Sequence, residues 1–279
     1  MKSGSLTLVP TGGLANRMRC IASAYCLCKQ SNTILNVIWF RDKGLNARFC
    51  DIFYPINEIG ISIRESRSFD FIINDRPRRH NLFIPRFSQK LLYGDNRIYE
   101  TDVDRLNAEK FNFSSWIQKG KCYMSSWSEF GKVPTTIYSQ MFMPVQEVEK
   151  RVLEIVSNFA LNTVGLHIRR TDHIHSIRNS PTELFIRAAE REIENDHTLK
   201  IFLATDDSMV KRQLCSIFGD RVITAEETLG RDTLPGIMAA LVDMWALSNT
   251  RMIYGSMHSS FSEMASRLGN IELKVLRIE

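Results

Sequence analysis

The regular alternation of strand-like and helix-like segments over residues 163–278 constrains the fold more than any other feature. Short apolar runs recur there, and segments with apolar residues at helical spacing separate them. The predicted strands are Thr163–Ile168, Leu199–Thr205, Arg221–Thr224, Arg251–Gly255 and Leu273–Ile278. The predicted helices are Val145–Phe159, Pro181–Asn195, Ser208–Phe218, Leu234–Leu247 and Ser259–Leu268. Strands that alternate with helices in this way favour a parallel, doubly wound sheet.

The first half of the chain predicts a second, less regular unit of the same class. Its predicted strands are Ser5–Pro10, Ile34–Phe40 and Lys121–Trp127, with a helix that begins at Leu14. Residues 41 to about 120 are irregular and predict loops and short elements, and Val133–Pro144 predicts a linker. We therefore expect two α/β, Rossmann-like domains, residues 1–144 and 145–279. Ligands of such sheets bind at the carboxyl ends of the strands, so a cleft between the domains is expected.

Length and charge set the class of protein. A chain of 279 residues exceeds the usual size of one domain, and its net charge of +5 mildly favours anionic ligands. No uncharged apolar stretch reaches about 18 residues, and the N-terminus has no apolar core of a signal peptide. We therefore expect no transmembrane segment and a cytoplasmic enzyme.

The six cysteines predict reduced, mostly buried thiols. Cys26 and Cys28 form a C-x-C pair, but no second pair follows at the spacing of a zinc site. The other cysteines are too scattered to form a disulfide framework.

The first motif with possible chemistry is the turn Gly12-Gly13-Leu14-Ala15-Asn16-Arg17, between a strand and a helix. Glycines let the backbone approach a ligand, and a helix N-terminus offers free N–H groups to an anion. The segment lacks the third glycine of the dinucleotide fingerprint. An ordinary tight turn is the alternative.

The second motif is Gly165-Leu166-His167-Ile168-Arg169-Arg170-Thr171-Asp172, a predicted strand that ends in two arginines and an aspartate. A guanidinium at the carboxyl end of a buried strand suits a diphosphate. We therefore expect Arg169 to bind an anion. For Arg170, a salt bridge with Asp172 is an equal alternative.

Two further segments place polar residues directly after strands. Asp206 and Asp207 follow Phe202–Thr205 and are candidates for Mg²⁺ binding, ribose or base binding, or capping of the helix at Ser208; we expect capping for one of them. Ser259 and Ser260 stand at a helix start, where hydroxyls cap the helix or bind phosphate.

Together these segments resemble the fucosyltransferase superfamily that contains the α-1,6 and nodulation-type enzymes and their α-1,2 and protein O-fucosyltransferase relatives. The segments with this resemblance are His167–Asp172, Leu203–Asp207, Arg231 through Asp243 to Ser248, Ser259-Ser260 and Gly12–Asn16. The resemblance implies a GT-B glycosyltransferase that uses GDP-fucose, inverts the anomeric centre and needs no metal. It also implies two partners: the nucleotide-sugar donor and a glycan or glycoconjugate acceptor.

The same resemblance implies roles for individual residues. Arg169 would hold the β-phosphate and stabilise the leaving diphosphate, and His167, by its backbone, and Asp243 would read guanine. The remaining implied donor contacts are Gly12, Gly13, Asn16, Arg170, Asp206, Asp207, Ser259 and Ser260.

One departure concerns acceptor activation. The α-1,6 enzymes have a glutamate shortly after the arginine motif, and residues 173–181 contain none. An inverting displacement needs a base near the attacking hydroxyl, so Asp172, His173 and His175 are the candidates. A dissociative displacement that depends mainly on Arg169 is the alternative.

Other functions fit the sequence less well. The alternatives are transfer of a different nucleotide sugar and a non-catalytic nucleotide or sugar-phosphate binding protein. A Ser-His-Asp hydrolase built from Ser259, His258 and Asp206 lacks the G-x-S-x-G elbow. The basic cluster Arg76–His80 has no aromatic platform beside it, so we expect no nucleic-acid binding.

Overall fold

The structure is a computed structural model that describes residues 4–42, 44–75, 83–170, 174–225 and 232–278, with the backbone alone at 83, 84 and 174–176. The chain divides into two compact units. The first contains Met1–Met143 and Arg231–Leu234, and the second contains Pro144–Gly230 and Pro235–Glu279. The segment Arg231–Leu234 thus groups with the first unit, although the sequence analysis had assigned it to the C-terminal domain.

The first unit contains a five-stranded parallel sheet with the strand order β3-β2-β1-β5-β4. Its elements are β1 Ser5–Pro10, α1 Leu14–Gln30, β2 Ile34–Trp39, α2 Phe49–Ile52, β3 Ile61–Glu65, α3 Asp70–Ile73, α4 Phe83–Tyr93, β4 Arg97–Ile98, α5 Glu100–Ala108, α6 Phe113–Ile117, β5 Lys121–Ser126 and α7 Thr136–Met141. The strand–turn–helix start is confirmed, with β1 at the predicted residues and α1 beginning at Leu14.

One prediction for this unit is incomplete and another is wrong. The segment predicted as loops and short elements supplies two strands of the main sheet, β3 and β4, beside five helices. The predicted linker Val133–Pro144 contains α7, whose residues Tyr138 and Met141 are buried. Burial of these two side chains makes this segment part of the first unit's core.

The second unit contains another five-stranded parallel sheet, with the order β10-β9-β6-β7-β8. Its elements are α8 Gln146–Val156, β6 Val164–Ile168, α9 Ile174–Asn179, α10 Thr182–Asn195, β7 Ile201–Thr205, α11 Ser208–Phe218, a 3-10 turn Gly219–Arg221, β8 Val222–Thr224, α12 Leu234–Ser248, β9 Met252–Ser256, α13 Ser260–Gly269 and β10 Glu272–Leu276. The alternation predicted from the sequence is therefore confirmed, with most ends shifted by one or two residues. Such shifts are usual at the ends of helices and strands.

The central strand β6 is buried along its whole length. One face, with Val164, Leu166 and Ile168, packs in an apolar cluster with residues of α10 and α11. On the other face, Gly165 lies against Leu247 of α12, and the ring of His167 stacks on Phe261 of α13. Helices on both faces of a parallel sheet define a doubly wound α/β fold.

All six cysteines are free thiols, as the sequence predicts. Four of them, Cys20, Cys26, Cys28 and Cys122, are buried, whereas Cys50 is exposed. Burial raises the pKa of Cys20 and Cys28 to about 12 and that of Cys122 to about 11. Within the described residues, no helix combines the length and apolar character needed to cross a membrane.

The contact between the ends of α12 and α13 gives a test of this packing. A Cβ at Gly269 would lie 2.0 Å from the carbonyl oxygen of Ser248. Gly269→Ala should therefore lower the free energy of unfolding by about 3 kcal/mol, since overpacking displaces backbone. Gly94→Ala is the control: it has positive φ and open space, so about 1 kcal/mol is expected. Equal melting temperatures of both variants, measured by circular dichroism, would contradict the packing described.

Candidate functional site

Arg169 and Arg170, which directly follow β6, are hydrogen-bonded to residues at the carboxyl ends of both neighbouring strands of the second sheet. The backbone N–H of Arg169 donates to Ser256 Oγ, at the end of β9, over 3.1 Å. The backbone N–H of Arg170 donates to Asp206 Oδ1, just after β7, over 2.6 Å. Parallel pairing of these strands brings together four predicted site residues: His167, Arg169, Arg170 and Asp206.

His167 is buried, and its side chain is held in place by neighbours. Its Nδ1 shares a 3.2 Å hydrogen bond with Ser259 Oγ, and its ring stacks on Phe261 at 4.7 Å. Its carbonyl oxygen accepts a hydrogen bond from Ser256 Oγ over 3.3 Å. Ser259 also caps α13 by accepting from the N–H of Ser262, and Ser260 is the first residue of that helix. Ser256 and Phe261 belong to the same polar segment, Tyr254–Glu263, but the sequence alone assigns neither of them a role.

The guanidinium of Arg170 is hydrogen-bonded within the second unit. It donates to Ser180 O over 2.8 Å, to Thr182 Oγ1 over 2.9 Å and to Arg169 O over 3.0 Å. Burial is the main cause that lowers the pKa of Arg170, and the charge of Asp206 opposes it. This arrangement braces the loop after β6 against the start of α10. The predicted partner Asp172 lies outside the described residues.

The two neighbouring aspartates have different roles. Asp207 is the N-cap of α11: its Oδ1 accepts from the N–H groups of Met209 over 2.7 Å and Val210 over 3.2 Å. Asp206 instead holds the backbone of Arg170. The prediction that one of the pair is a cap is therefore confirmed, and that residue is Asp207.

Asp243 is in the middle of α12. Its Oδ1 is buried and has no hydrogen-bond partner within the described part of the chain. Burial raises the pKa of Asp243 to about 7, and the charges of Lys211 and Arg151 only partly oppose this effect. A buried carboxylate oxygen without a partner is costly unless a ligand supplies the missing donors.

Asp172 and His173 lie outside the described residues, and only the backbone of His175 is described, in α9. Arg169 is half-buried. No group of three His, Cys, Asp or Glu side chains suited to hold a metal ion occurs among the described residues.

In the first unit, the predicted glycine turn has the expected backbone geometry. Gly12 has a φ of +79°, and a Cβ there would lie 2.7 Å from Asn16 Nδ2. Gly13 is the N-cap residue of α1, and no side chain caps this helix. The Oδ1 of Asn16 is buried without a hydrogen-bond partner in the described chain. The turn therefore offers the N–H groups of a helix N-terminus, which suit an anion, whereas Asn16 Oδ1 would need a hydrogen-bond donor.

A buried arginine, Arg17, is hydrogen-bonded to this turn. Arg17 is fully buried, donates from Nε to Gly12 O over 3.0 Å and also donates to Phe40 O. It pairs with Asp42 at 3.3 Å and lies over the ring of Trp39. The sequence analysis quoted Arg17 but gave it no role, because its partners follow the second strand.

One more carboxylate lies beside the turn. Thr11, a buried residue directly before Gly12, donates from Oγ1 to Glu100 Oε2 over 2.7 Å. Glu100 is half-buried and is the first residue of α5, just after β4. The sequence analysis missed Glu100, since β4 itself was not predicted.

Sequence comparison finds no match: no family model and no curated protein matches the chain. Solved structures share its fold. NodZ alpha-1,6-fucosyltransferase soaked with GDP-fucose is 16% identical, with a TM-score of 0.64 over 96% of this chain and 93% of that one. Another NodZ structure, from Bradyrhizobium, gives 16% identity and a TM-score of 0.63 over 95% and 92%.

Two further fucosyltransferase structures cover the chain. An Arabidopsis thaliana FUT1 mutant in complex with GDP is 14% identical, with a TM-score of 0.60 over 100% of this chain and 71% of that one. POFUT1 in complex with GDP is 12% identical, with a TM-score of 0.55 over 99% of both. The chain therefore has the two-sheet GT-B fold of these fucosyltransferases, and the resemblance seen in the sequence is confirmed at the level of the fold.

The capping role of Asp207 gives a prediction about stability. Asp207→Ala should lower the free energy of unfolding by about 1 kcal/mol, because two N–H groups lose their acceptor. Asp207→Ser keeps a capping oxygen and should stay close to wild type. Urea unfolding of the three proteins measures this difference. An equally large loss in both variants would indicate that the charge of Asp207, and not the cap, stabilises the chain.

Proposed function

We propose that the chain is an inverting glycosyltransferase that takes fucose from GDP-fucose and transfers it to a hydroxyl of a glycan or glycoconjugate. The main support is the fold, shared over nearly the whole chain with fucosyltransferases whose structures contain GDP or GDP-fucose. The groups at the carboxyl end of the second sheet support the same conclusion. A cytoplasmic location and the absence of nucleic-acid binding stay predictions from the sequence.

Arg169 is proposed as the main contact of the donor's diphosphate. Its backbone N–H is held by Ser256, and the backbone N–H of the next residue is held by Asp206. As the glycosidic bond breaks, negative charge grows on the β-phosphate oxygen, and a fixed cation stabilises that charge. The N-termini of α13 and α11 add partial positive charge at the same sheet end. No metal ion is needed in this proposal. Gly12, Gly13, Asn16 and Ser260 are proposed as further donor contacts.

Asp243 is proposed to recognise guanine. An ionised carboxylate accepts two hydrogen bonds side by side, and guanine offers two adjacent donors, N1–H and the 2-amino group. Uracil has a single ring N–H and lacks the second donor. The unpartnered buried Oδ1 of Asp243 suits such a ligand.

The raised pKa of Asp243 makes this contact depend on pH. In the unliganded protein, burial favours the protonated form of the Asp243 side chain. The stability that this protonated side chain contributes to the folded protein is therefore fully present below about pH 4 and is lost as the pH rises to about 7. The difference between the ordinary pKa of 3.8 and a pKa of about 7 corresponds to a change of about 4 kcal/mol in the free energy of unfolding over this pH range. Guanine needs the ionised form, so GDP binding should weaken as pH falls below 7.

We therefore expect GDP, and not UDP, to raise the melting temperature of the wild-type protein. A ligand at about 100 times its dissociation constant adds roughly 2.7 kcal/mol. GDP affinity, measured by calorimetry, should fall about fivefold from pH 7 to pH 6, as the ionised fraction of a group with a pKa of about 7 does. Asp243→Asn should weaken GDP binding at pH 8 and remove this part of the pH dependence.

The phosphate groups of GDP also titrate, and the Asp243→Asn substitution does not change their titration. Any pH dependence that persists in this variant therefore belongs to GDP and not to Asp243. Equal stabilisation of the wild type by GDP and UDP would exclude guanine recognition. An Asp243→Asn protein with the pH profile of the wild type would exclude Asp243 as the recognising group.

The second prediction for this function concerns Arg169. Arg169→Lys keeps the charge but loses the planar pair of donors, so turnover of GDP-fucose should fall by about 10²–10³. Arg170→Lys, which affects the brace to Ser180 and Thr182, should mainly lower the melting temperature. Wild-type turnover should persist in EDTA. Near-normal turnover of Arg169→Lys would contradict the mechanism, and loss of activity in EDTA with rescue by Mn²⁺ would contradict its metal independence.

A further inference from the structure

The first unit contains a cavity between the C-terminal half of α1 and the start of α6. Its volume is about 260 Å³, which equals the space of roughly nine water molecules at about 30 Å³ each and is enough for one sugar-sized ring. Every residue of its lining belongs to the first unit. The lining includes Gln30, Phe111, Asn112, Ser114, Phe130 and Lys132.

This cavity is separate from the glycine turn of the same unit. Helix α1 begins directly after Gly13 and rises about 1.5 Å per residue. Two of its residues that line the cavity, Ser23 and Gln30, therefore lie roughly 15 and 25 Å beyond Gly13 along the helix axis. A sugar-sized ring in the cavity would be held by residues other than those of the turn.

Three phenylalanines form the apolar wall of the cavity. The rings of Phe111 and Phe113 meet edge to face with their centroids 5.1 Å apart, and the rings of Phe113 and Phe130 are 5.3 Å apart. Phe113 and Phe130 are buried, whereas Phe111 is 36% exposed. Phe111 therefore leaves part of an aromatic ring open to a ligand, and the C–H groups of a pyranose ring can pack on such a surface.

The polar side chains of the lining are mostly neutral. Within the described residues, those of Gln30, Ser114 and Lys132 make no hydrogen bond or ion pair. Asn112 Oδ1 accepts from the N–H of Ser115, so its amide nitrogen faces no competing role in the cap. Amides and a hydroxyl offer donors and acceptors together, as the hydroxyls of a sugar require. Among the described lining residues only Lys132 is charged, which does not favour a strongly anionic ligand.

We propose that this cavity is a non-catalytic saccharide-binding site that holds one neutral sugar ring of a glycan. The class of ligand rests on the proposed function, in which the acceptor is a glycan or glycoconjugate. One face of the ring packs on Phe111, and its hydroxyls exchange hydrogen bonds with Gln30, Asn112 and Ser114. Lys132 donates to a further oxygen of the sugar. Because the cavity is separate from the glycine turn, sugar binding needs no nucleotide.

The test measures the binding of two neutral glucose trimers, cellotriose and maltotriose, by saturation-transfer NMR without any nucleotide. The wild-type protein should bind at least one of them. Gln30→Ala removes an amide at an exposed position and should weaken this binding about three- to tenfold. Phe111→Ala removes the exposed ring and should weaken it about tenfold. If Phe111→Ala lowers the melting temperature, Gln30→Ala decides the result.

Matched controls use the same residue types outside the cavity. Gln118→Ala, at the C-terminus of α6, and Phe87→Ala, on α4, change exposed residues of the first unit and should keep the wild-type affinity. The inference is overturned if neither trimer binds, if both cavity variants bind as the wild type does, or if the controls lose affinity equally. It is also overturned if glucuronate binds in place of the trimers and Lys132→Ala abolishes that binding, because the cavity would then be an anion site.

Failure of the saccharide site can be told apart from failure of the proposed function. GDP affinity and the release of GDP from GDP-fucose in water should be the same in Gln30→Ala, Phe111→Ala and the wild type. A wild-type protein that binds a trimer but neither binds GDP nor releases it from GDP-fucose overturns the proposed function alone. A wild-type protein that does both with GDP but binds neither trimer overturns the saccharide site alone.

Discussion

The parallel pairing of β6 with β7 on one side and β9 on the other decides where the polar groups of the second unit lie. In a parallel sheet the carboxyl ends of neighbouring strands meet, so residues about 40 and 90 positions apart become neighbours. Asp206 and Ser256 reach the loop after β6 from these two directions. Because β6 is buried throughout, this pairing cannot slip without exposing the core.

The parts of the fold that were predictable are those with local signals. Helix α11 matches its prediction at both ends, since Asp207 caps its start and Gly219 follows its end. Strands β3 and β4 were missed for a physical reason. β3 has only two apolar residues, Ile61 and Ile63, and β4 is two residues long, so neither has a clear period.

The site was predictable in its residue types and less so in its contacts. The sequence indicates that arginines follow β6, but it cannot show that the side chain of Arg170 binds Ser180 and Thr182. The burial of Arg17 is still harder to predict, because a charged residue in a helix is usually exposed. Its burial depends on Phe40 and Asp42, which follow β2. Long-range partners of this kind are fixed by topology, not by local pattern.

The distribution of thiols has a practical consequence for work on the folded chain. Only the thiolate reacts quickly with alkylating reagents, so burial and a high pKa protect Cys20, Cys28 and Cys122. Cys50 lies within α2 and is exposed, so it differs from these three thiols. A maleimide dye could be attached there under native conditions without any engineered cysteine. The first unit thus contains a natural position for a fluorescent reporter, remote in sequence from the arginines of the second sheet.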